Sequence, residues 1–343
     1  MADVSPFRAL RYDEAKAGPL ADLVAPPYDV ISPEQRAELA ARSPYNVVHL
    51  TLPESEAEAA RAIAEWRREG VLREDEPAAW VLTQDYVGPD GVARTRTGLV
   101  ASLRVEPYET RTVLPHERTH RGPREGRQRL LEAVGVQLEP IFLLYDGPAV
   151  TVPDAPPELA VEGARLWRLG DVPIDLSGTQ LLIADGHHRY ETAVWFAERG
   201  GSAQMPVVLV PTSDPGLTIF PTHRIVERLA KPPSNSLLQG MERPEGELPG
   251  LVLYRAGEFF LVEGDDELDV QLVERFAPEG VTYTPDLDEA IARVDAGAAE
   301  AAFLVRAPSI EQVFELARRG EVMPQKTTYF FPKLLSGLLF HPA

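Results

Sequence analysis

Five consecutive residues, Asp185-Gly186-His187-His188-Arg189, form the densest set of reactive groups in the sequence. A largely apolar run from Thr179 to Ala184 precedes them and predicts a buried strand, and the pattern from Tyr190 to Arg199 predicts a helix. Backbone N–H groups at the start of a helix bind anions, and an arginine in the first turn can add a two-pronged contact to phosphate. The pattern therefore indicates a phosphate-binding turn.

The side chains of this turn allow several roles. Asp185 could cap the helix, hold a hydroxyl group or hold a metal ion. His187 and His188 could move protons or contact phosphate near neutral pH. The alternative is a structural role, in which Asp185 is a plain helix cap and His188 packs in the core.

A second motif, His116-Glu117-Arg118-Thr119-His120, matches the zinc-protease pattern H-E-x-x-H. That pattern binds zinc only on a helix, where both imidazoles share one face. Pro115 precedes it and Gly122-Pro123 follow closely, and Pro123 disfavours a helix at Gly122. We therefore expect no zinc, and interpret the segment as a polar loop that presents Glu117 as an acid-base group or metal ligand. A solvated charged loop is the alternative.

Three other segments could join the phosphate-binding turn. Pro221-Thr222-His223-Arg224 offers a second arginine, and Tyr28-Asp29 follows two prolines and could line a pocket. Lys326 stands beside Thr327 in an apolar tail, where an unpaired buried lysine would be costly. The alternatives are a surface loop for the arginine, a surface lysine whose stem lies on apolar side chains, and a structural role for Tyr28-Asp29.

Composition limits the classes of function. The 343 residues include 34 Lys and Arg against 53 Asp and Glu, a net charge of −19, so we expect no nucleic-acid partner. The chain has no cysteine, which excludes disulfides and thiolate metal sites. It has no run of 18 apolar residues and begins without an apolar signal segment, so we expect a cytoplasmic protein without a membrane partner.

Helix and strand signals alternate along the chain, which predicts an α/β fold with a mixed sheet. We predict a first domain over residues 1–230, a linker rich in proline and glycine over 231–250, and a smaller α/β domain over 251–343 whose apolar tail packs back on the site. Local signals predict an extended segment at Ala25–Val30, a capping box at Ser32–Gln35, a strand at Asn46–Leu52, a helix at Ser55–Glu69, a hairpin around Gly88–Gly91, a helix at Glu125–Val134 and a strand at Pro140–Tyr145.

These motifs, in this order, resemble the domain of unknown function family 1015 almost from end to end. The family is named for lacking a known activity, so the resemblance by itself implies none. The chain departs from the family pattern at Gly126-Arg127, where the family usually has Asp-Arg, and a ligand at that position would be missing here. The matching segments are Pro26 to Val30, Asn46 within SPYNVVHL, His116-Glu117 with Thr119, Asp185 to Tyr190, Pro221 to Arg224, and Met323-Pro324-Gln325-Lys326 through Tyr329 to Lys333.

The turn from Asp185 to Arg189 also resembles the strand-turn-helix phosphate motif of the ParB-like/sulfiredoxin superfamily. Its members bind nucleotides and include ParB-type CTP hydrolases, sulfiredoxins and free-serine kinases. The serine-kinase branch carries a similar Asp-Gly-His-His-Arg element and uses a glutamate as base, and family 1015 is often associated with serine biosynthesis. The resemblance implies a ParB/sulfiredoxin-like core in residues 1–230.

The expectation is a phosphotransferase that moves a phosphoryl group between ATP or ADP and a small hydroxy amino acid such as L-serine. The alternatives are a phosphoserine-type phosphatase and a non-catalytic nucleotide-binding regulatory protein, and a homodimer is left open. Glu117, Asp185 and His188 are the expected catalytic residues, and Asp185 and Glu117 could hold Mg²⁺. The expected phosphate-binding residues are Gly186, His187, His188, Arg189, Arg224, Lys326 and Thr327, and the expected substrate pocket is Tyr28, Asp29, His116, Thr119 and His223.

Overall fold

The computed structural model describes residues 2–117, 121–264 and 268–343, except for the side chains of residues 121–123. Within these ranges no helix is both long enough and apolar enough to cross a membrane. The helices of the described chain are α1 (Glu14–Ala17), α2 (Pro33–Arg42), α3 (Val48–Thr51), α4 (Glu56–Glu69), α5 (Arg121–Val134), α6 (His187–Glu198), α7 (Asp269–Glu274), α8 (Leu287–Asp295) and α9 (Ile310–Arg319).

The strands follow the same chain order. They are β1 (Val4–Ser5), β2 (Leu10–Tyr12), β3 (Leu72–Glu74), β4 (Ala79–Val87), β5 (Ala93–Arg104), β6 (Val113–Leu114), β7 (Val136–Gln137), β8 (Ile141–Tyr145), β9 (Leu159–Val161), β10 (Ala164–Leu169), β11 (Leu181–Asp185), β12 (Gln204–Pro211), β13 (Thr218–Phe220), β14 (His223–Leu229), β15 (Leu238–Met241), β16 (Val252–Arg255), β17 (Glu258–Val262), β18 (Pro278–Thr284), β19 (Ala301–Leu304), β20 (Tyr329–Phe331) and β21 (His341–Pro342).

The larger sheet is mixed and carries the turn of interest. Its strand order is β6-β11-β8-β12-β5-β4-β10-β9, with β1 on β5. The β6–β11 and β8–β12 pairs are parallel and the other pairs are antiparallel. This confirms the predicted α/β fold class.

Both faces of this sheet are buried, because alternate residues of one strand belong to different cores. On β11, Leu182 packs in one apolar cluster while Leu181 and Ile183 pack in the other. Such strands read as continuous apolar runs, which is why β8 and β11 are recognisable in the sequence. Apolar packing on both faces of the sheet fixes the end of β11, and therefore the position of the turn that follows it.

The smaller sheet is antiparallel, in the order β15-β17-β16-β19-β14-β18. It begins at His223, upstream of the domain boundary predicted at residue 230. It also takes the edge strand β15 from the predicted linker, residues 231–250. Proline and glycine reduce strand signals, but an edge strand tolerates both in and around it.

The C-terminal segment, residues 323–343, runs across the larger sheet and the N-terminal region. Strand β20 pairs with β13, and β21 pairs with β7. Between them Ser336 bridges to Ala25, and Phe340 bridges to Leu10. Met323, Phe330 and Phe340 are buried, so the segment is packed along most of its length.

Several local predictions are confirmed because a cap or glycine fixes them. Ser32 and Gln35 form the capping box at the start of α2. Ser55 caps α4, and Gly70 ends it in the left-handed conformation that glycine adopts readily.

Three local predictions are wrong. Asn46–Leu52, predicted to be a strand, contains helix α3, because the Asn46 side chain accepts a hydrogen bond from the Val48 N–H and turns the chain. The extended segment predicted before Ser32 contains a 3₁₀ turn at Tyr28–Val30. Helix α5 begins at Arg121 and includes Gly122 and Pro123, because a helix tolerates proline in its first turn, where no N–H partner is needed.

Candidate functional site

A cavity of about 270 Å³ lies at the start of α6. Three chain segments far apart in the sequence meet the β11–α6 turn there, namely the loop before α2, the strand-like residue Glu117, and the C-terminal segment. The cavity is lined by Tyr28, Asp29, Glu117, Ala184, Asp185, Gly186, His187, His188, Arg189, Gln325, Lys326, Thr328 and Lys333. Nine of the residues predicted from the sequence therefore lie together.

The β11–α6 turn requires its glycine. The pairing of β11 with β8 shifts register between Ile183 and Asp185, a bulge of the kind that often re-aims a side chain at a site. Gly186 has φ of 103°, and a Cβ atom there would lie 2.6 Å from Cγ2 of Ile141. Gly186 is the N-cap of α6, and no side chain of the described residues caps the helix. Asp185, for which capping was one of the open roles, does not cap the helix, and the first-turn N–H groups have no side-chain acceptor at the cap within the described part of the chain.

Asp185 instead lies between two cations. Its Oδ2 accepts from Nη2 of Arg189 at 2.6 Å, and its Oδ1 accepts from the ammonium of Lys333. Burial acts to raise the pKa of Asp185, but Lys333 and then Arg189 outweigh it and hold the pKa well below its usual range. Asp185 is thus ionised at neutral pH, and the three groups together carry one excess positive charge beside the helix start.

Glu117 also lines this cavity, and its backbone forms a parallel β-bridge with Met323. Burial raises the pKa of Glu117, partly offset by Lys326, whose backbone N–H also donates to its carboxylate. A carboxylate with a raised pKa in a cleft is suited to accept a proton. His116 and Glu117 are not in a helix, while Arg118, Thr119 and His120 of the zinc-protease pattern lie outside the described residues.

His116 lies behind the cavity and supports it. Its Nδ1 donates to the Ile183 carbonyl at 2.5 Å, so the neutral ring accepts at Nε2 from the Thr328 hydroxyl, 2.9 Å away. Its backbone N–H donates to Nε2 of His187 at 3.3 Å. Burial lowers the pKa of His116 to about 4, and burial, reinforced by His116, lowers that of His187 well below its usual value. Both rings are neutral at pH 7, so neither supplies positive charge to a ligand.

Besides His116, three of the predicted site residues that the structure describes do not line the cavity. His223 lies in β14, where its Nδ1 accepts from the Val305 N–H. Arg224 donates to backbone carbonyls, including that of Lys326 at 3.2 Å, and therefore supports the chain that carries Lys326. Thr327 is buried and donates to the Pro324 carbonyl at 2.6 Å. Their polar groups are already used within the fold, which no local pattern reveals.

Lys333, Thr328 and Gln325 line the cavity although the prediction of site residues omitted them. A signal for Lys333 exists in the sequence. The chain has only four lysines, and Lys333 stands in an apolar tail, in a segment that the sequence analysis compared with the family pattern. With Lys326, half of the lysines of a strongly acidic chain line one cavity.

A buried carboxylate, Glu139, ties two walls of the cavity together. Its Oε1 accepts from the Tyr28 N–H at 3.2 Å and from the Ser336 hydroxyl at 2.5 Å. Arg127 lies over the Tyr28 ring, with 4.0 Å between the guanidinium carbon and the ring centroid. Gly126, where the family usually has Asp, lines a neighbouring cavity of about 420 Å³ and not this one.

The side chains at the cavity do not fit the predicted Mg²⁺ site. Both oxygens of Asp185 are paired with cations, which leaves Glu117 as the other predicted ligand. Among the residues that the structure describes, no three His, Cys, Asp or Glu side chains are grouped so as to hold a metal ion. A divalent ion prefers several oxygen ligands, so this donor set does not hold Mg²⁺ by itself.

The chain belongs to the family described as Protein of unknown function (DUF1015), whose sequence profile it matches over residues 4–272. This confirms the family resemblance. The four lining residues of the C-terminal segment lie beyond the matched stretch. No curated protein matches the chain.

Solved structures resemble part of the chain. A free serine kinase in complex with AMP is 21% identical with a TM-score of 0.39, covering 64% of this chain and 83% of that one. A conserved hypothetical protein from Pyrococcus furiosus is 21% identical with a TM-score of 0.38, covering 64% and 87%. SbnI with a C-terminal truncation, from Staphylococcus aureus, is 12% identical with a TM-score of 0.42, covering 68% and 84%.

Proposed function

We propose that this cavity binds the phosphates of a nucleotide and catalyses phosphoryl transfer to a small hydroxy amino acid, with L-serine as the first candidate. One observation carries the proposal. A helix start that no described side chain caps, three cationic side chains and a carboxylate with a raised pKa share one cavity. Phosphoryl transfer requires these parts, because its catalysis consists mostly of positioning and charge stabilisation.

The phosphates are placed at the first turn of α6. Its backbone N–H groups and the positive end of the helix favour an anion. Arg189, Lys326 and Lys333 add positive charge, and Arg189 and Lys333 share the single negative charge of Asp185. Because the chain as a whole carries −19, this attraction is local to the cavity and does not extend to a nucleic-acid backbone.

Glu117 acts as the base in this scheme. The acceptor hydroxyl gives its proton to the Glu117 carboxylate while its oxygen bonds to the terminal phosphorus of the nucleotide. The bond from that phosphorus to the bridging oxygen breaks, and the leaving nucleotide keeps the electron pair. ATP thus becomes ADP, or ADP becomes AMP, and the acceptor becomes a phosphate monoester.

The remaining lining groups have supporting roles. His188 is placed to contact the phosphates or the acceptor, while the neutral His187 helps to shape the first turn of α6. Asp185 holds Arg189 and Lys333 at the phosphate end of the cavity. Mg²⁺ enters as part of the magnesium–nucleotide substrate, and no step of the scheme requires a metal held by side chains.

Turnover tests the proposal. Purified protein is incubated with Mg²⁺, ATP or ADP, and isotope-labelled L-serine, and phosphoserine is measured by mass spectrometry. Glu117→Gln should lower turnover by about 10²–10⁴-fold, the usual contribution of a general base, and leave ADP affinity unchanged. Glu76→Gln, at an exposed glutamate, is the matched control and should keep full activity. Undiminished turnover by Glu117→Gln would remove that residue from its role.

The same assay separates the alternatives. Release of phosphate from phosphoserine without nucleotide would favour a phosphatase that uses the same groups. Binding of ADP without turnover of serine, phosphoserine or related hydroxy acids would favour a regulatory nucleotide-binding protein.

A further inference from the structure

Lys333 is one of the cations at the cavity, yet the larger sheet holds it in place through its backbone. Gln84, on β4, donates from Nε2 to the Lys333 carbonyl at 3.2 Å. Arg96, on β5, donates from Nη2 to the Pro332 carbonyl at 2.7 Å and from Nη1 to the Phe331 carbonyl at 3.4 Å. Gln84 and Arg96 are themselves joined by a 2.5 Å hydrogen bond. Three consecutive carbonyls before and at the lysine are therefore bonded to two side chains of the sheet.

Arg96 is an unusual residue for this position. It is fully buried, its guanidinium lies 4.3 Å from the ring centroid of Phe142, and it forms no ion pair within the described part of the chain. Its Nε has no hydrogen-bond partner among the described residues. Burying such a charge is costly unless it makes strong hydrogen bonds. Burial lowers the pKa of Arg96 to about 10, which still leaves it charged at neutral pH.

An apolar side chain would fill the same space between sheet and segment at lower cost. What it could not do is fix the direction of the Phe331 and Pro332 carbonyls. Planar guanidinium donors set such a direction because their geometry is rigid. The direction matters here because the next side chain, Lys333, must reach Asp185 across the cavity.

We infer that Arg96, with Gln84, is a positioning residue that clamps the C-terminal segment so that the Lys333 ammonium faces the phosphate end of the cavity. The contact of Lys333 with phosphate rests on the proposed function, whereas the clamp does not. The inference also implies that residues beyond the stretch matched by the family profile contribute to the site.

The clamp is tested on the ligand-free, full-length protein by amine acylation and mass spectrometry. Lys16, Lys231 and Lys326 are exposed, whereas Lys333 is part-buried in its ion pair, so Lys333 should react most slowly. In Arg96→Met, acylation of Lys333 should accelerate by roughly tenfold or more, the equivalent of one lost charge-assisted hydrogen bond, while Lys16 and Lys231 keep their rates. Arg94→Met removes an arginine of the same strand that is paired with Asp90, and it should change nothing at Lys333.

Arg96→Met could fail to fold, so Gln84→Leu is made in parallel. It removes the bonds of Gln84 to Arg96 and to the Lys333 carbonyl without removing a buried charge. Thermal unfolding confirms that each variant is folded. Unchanged acylation of Lys333 in the folded variants overturns the clamp.

A double-mutant cycle then links the clamp to the site through ADP affinity, measured by calorimetry. If Arg96 acts through Lys333, Arg96→Met weakens ADP binding roughly tenfold alone and has no further effect in a Lys333→Met background. A purely structural role predicts additive losses and overturns the inference. If the wild type binds no ADP but acylation responds as expected, the proposed function fails and the clamp stands.

Discussion

Replacing Asp185 by Asn should destabilise the protein strongly, because Asp185 is the anion between two cations, the buried Arg189 and the part-buried Lys333. Arg189 lies 2.6 Å from one carboxylate oxygen and Lys333 contacts the other. At an effective dielectric of about 20, two opposite unit charges about 4 Å apart attract each other by roughly 4 kcal/mol before the cost of burial is counted. Removal of one partner from a buried ion pair typically costs about 3–5 kcal/mol. We therefore expect the free energy of unfolding to fall by about 3–5 kcal/mol.

The assay is denaturant unfolding of Asp185→Asn and of a matched control, Asp90→Asn. Asp90 and Arg94 form an ion pair with the same four-residue spacing and the same 2.6 Å distance, but at the surface. Surface pairs contribute about 0–1 kcal/mol, so Asp90→Asn should be nearly neutral. Equal effects of the two substitutions would refute the account of the cavity as a buried charge cluster.

Phosphate supplies a second measurement on the same variant. Once Asp185 is neutral, Arg189 and Lys333 have lost their shared anion, and pyrophosphate can replace it. Pyrophosphate should then raise the melting temperature of Asp185→Asn by more than that of the wild type, because stabilisation by a ligand follows its affinity. An equal or smaller rise would show that the two cations do not face the bound anion.

Further predictions concern the turn and pH. Gly186→Ala combines a positive φ with a clash against Ile141, so it should abolish ADP binding, as measured by calorimetry. It should also lower the melting temperature by more than Gly178→Ala, because position 178 has a positive φ but open space for the added Cβ atom. The pKa of His116 is about 4 in the folded state against 6.5 in the unfolded state. Its contribution to the free energy of unfolding, up to about 3 kcal/mol, is therefore present above pH 6.5 and is lost as pH falls towards 4. Denaturant unfolding across this pH range should show a smaller loss of stability in His116→Gln than in the wild type. The raised pKa of Glu117 predicts that kcat/KM falls on the acid side at a pH above the ordinary glutamate value, a limb that a pH–rate profile of Glu117→Gln should lack.

The parts of the site that depend on local sequence could be predicted. The apolar run from Leu181 to Ala184 favours a buried strand, and Gly186 and the helical pattern after it then define the turn. These signals span a few residues each, and the backbone responds to them directly. Lys326 lines the cavity but is exposed, so the argument that a buried lysine needs a partner does not account for its position.

The rest of the site depends on contacts between distant residues. The pairing of Lys333 with Asp185 joins positions 148 apart in the chain, and no local pattern encodes it. Arg224 and His223 have the right chemistry for a phosphate site, but backbone groups of the fold use their polar atoms. The prediction of a strand at Asn46–Leu52 is wrong for a related reason. Its apolar residues suit a buried strand and a buried helical turn equally, and the Asn46 side chain decides between them.

The central claim is that the first turn of α6 holds nucleotide phosphate, and a crystal structure with ADP tests it most directly. We predict the terminal phosphate within hydrogen-bonding distance of the N–H groups of residues 187–189, with Arg189 and Lys333 as cationic partners and Glu117 on the open side of the phosphorus. Binding of ADP at another cavity, or a first turn of α6 covered by protein side chains in the presence of saturating ADP, would contradict the account.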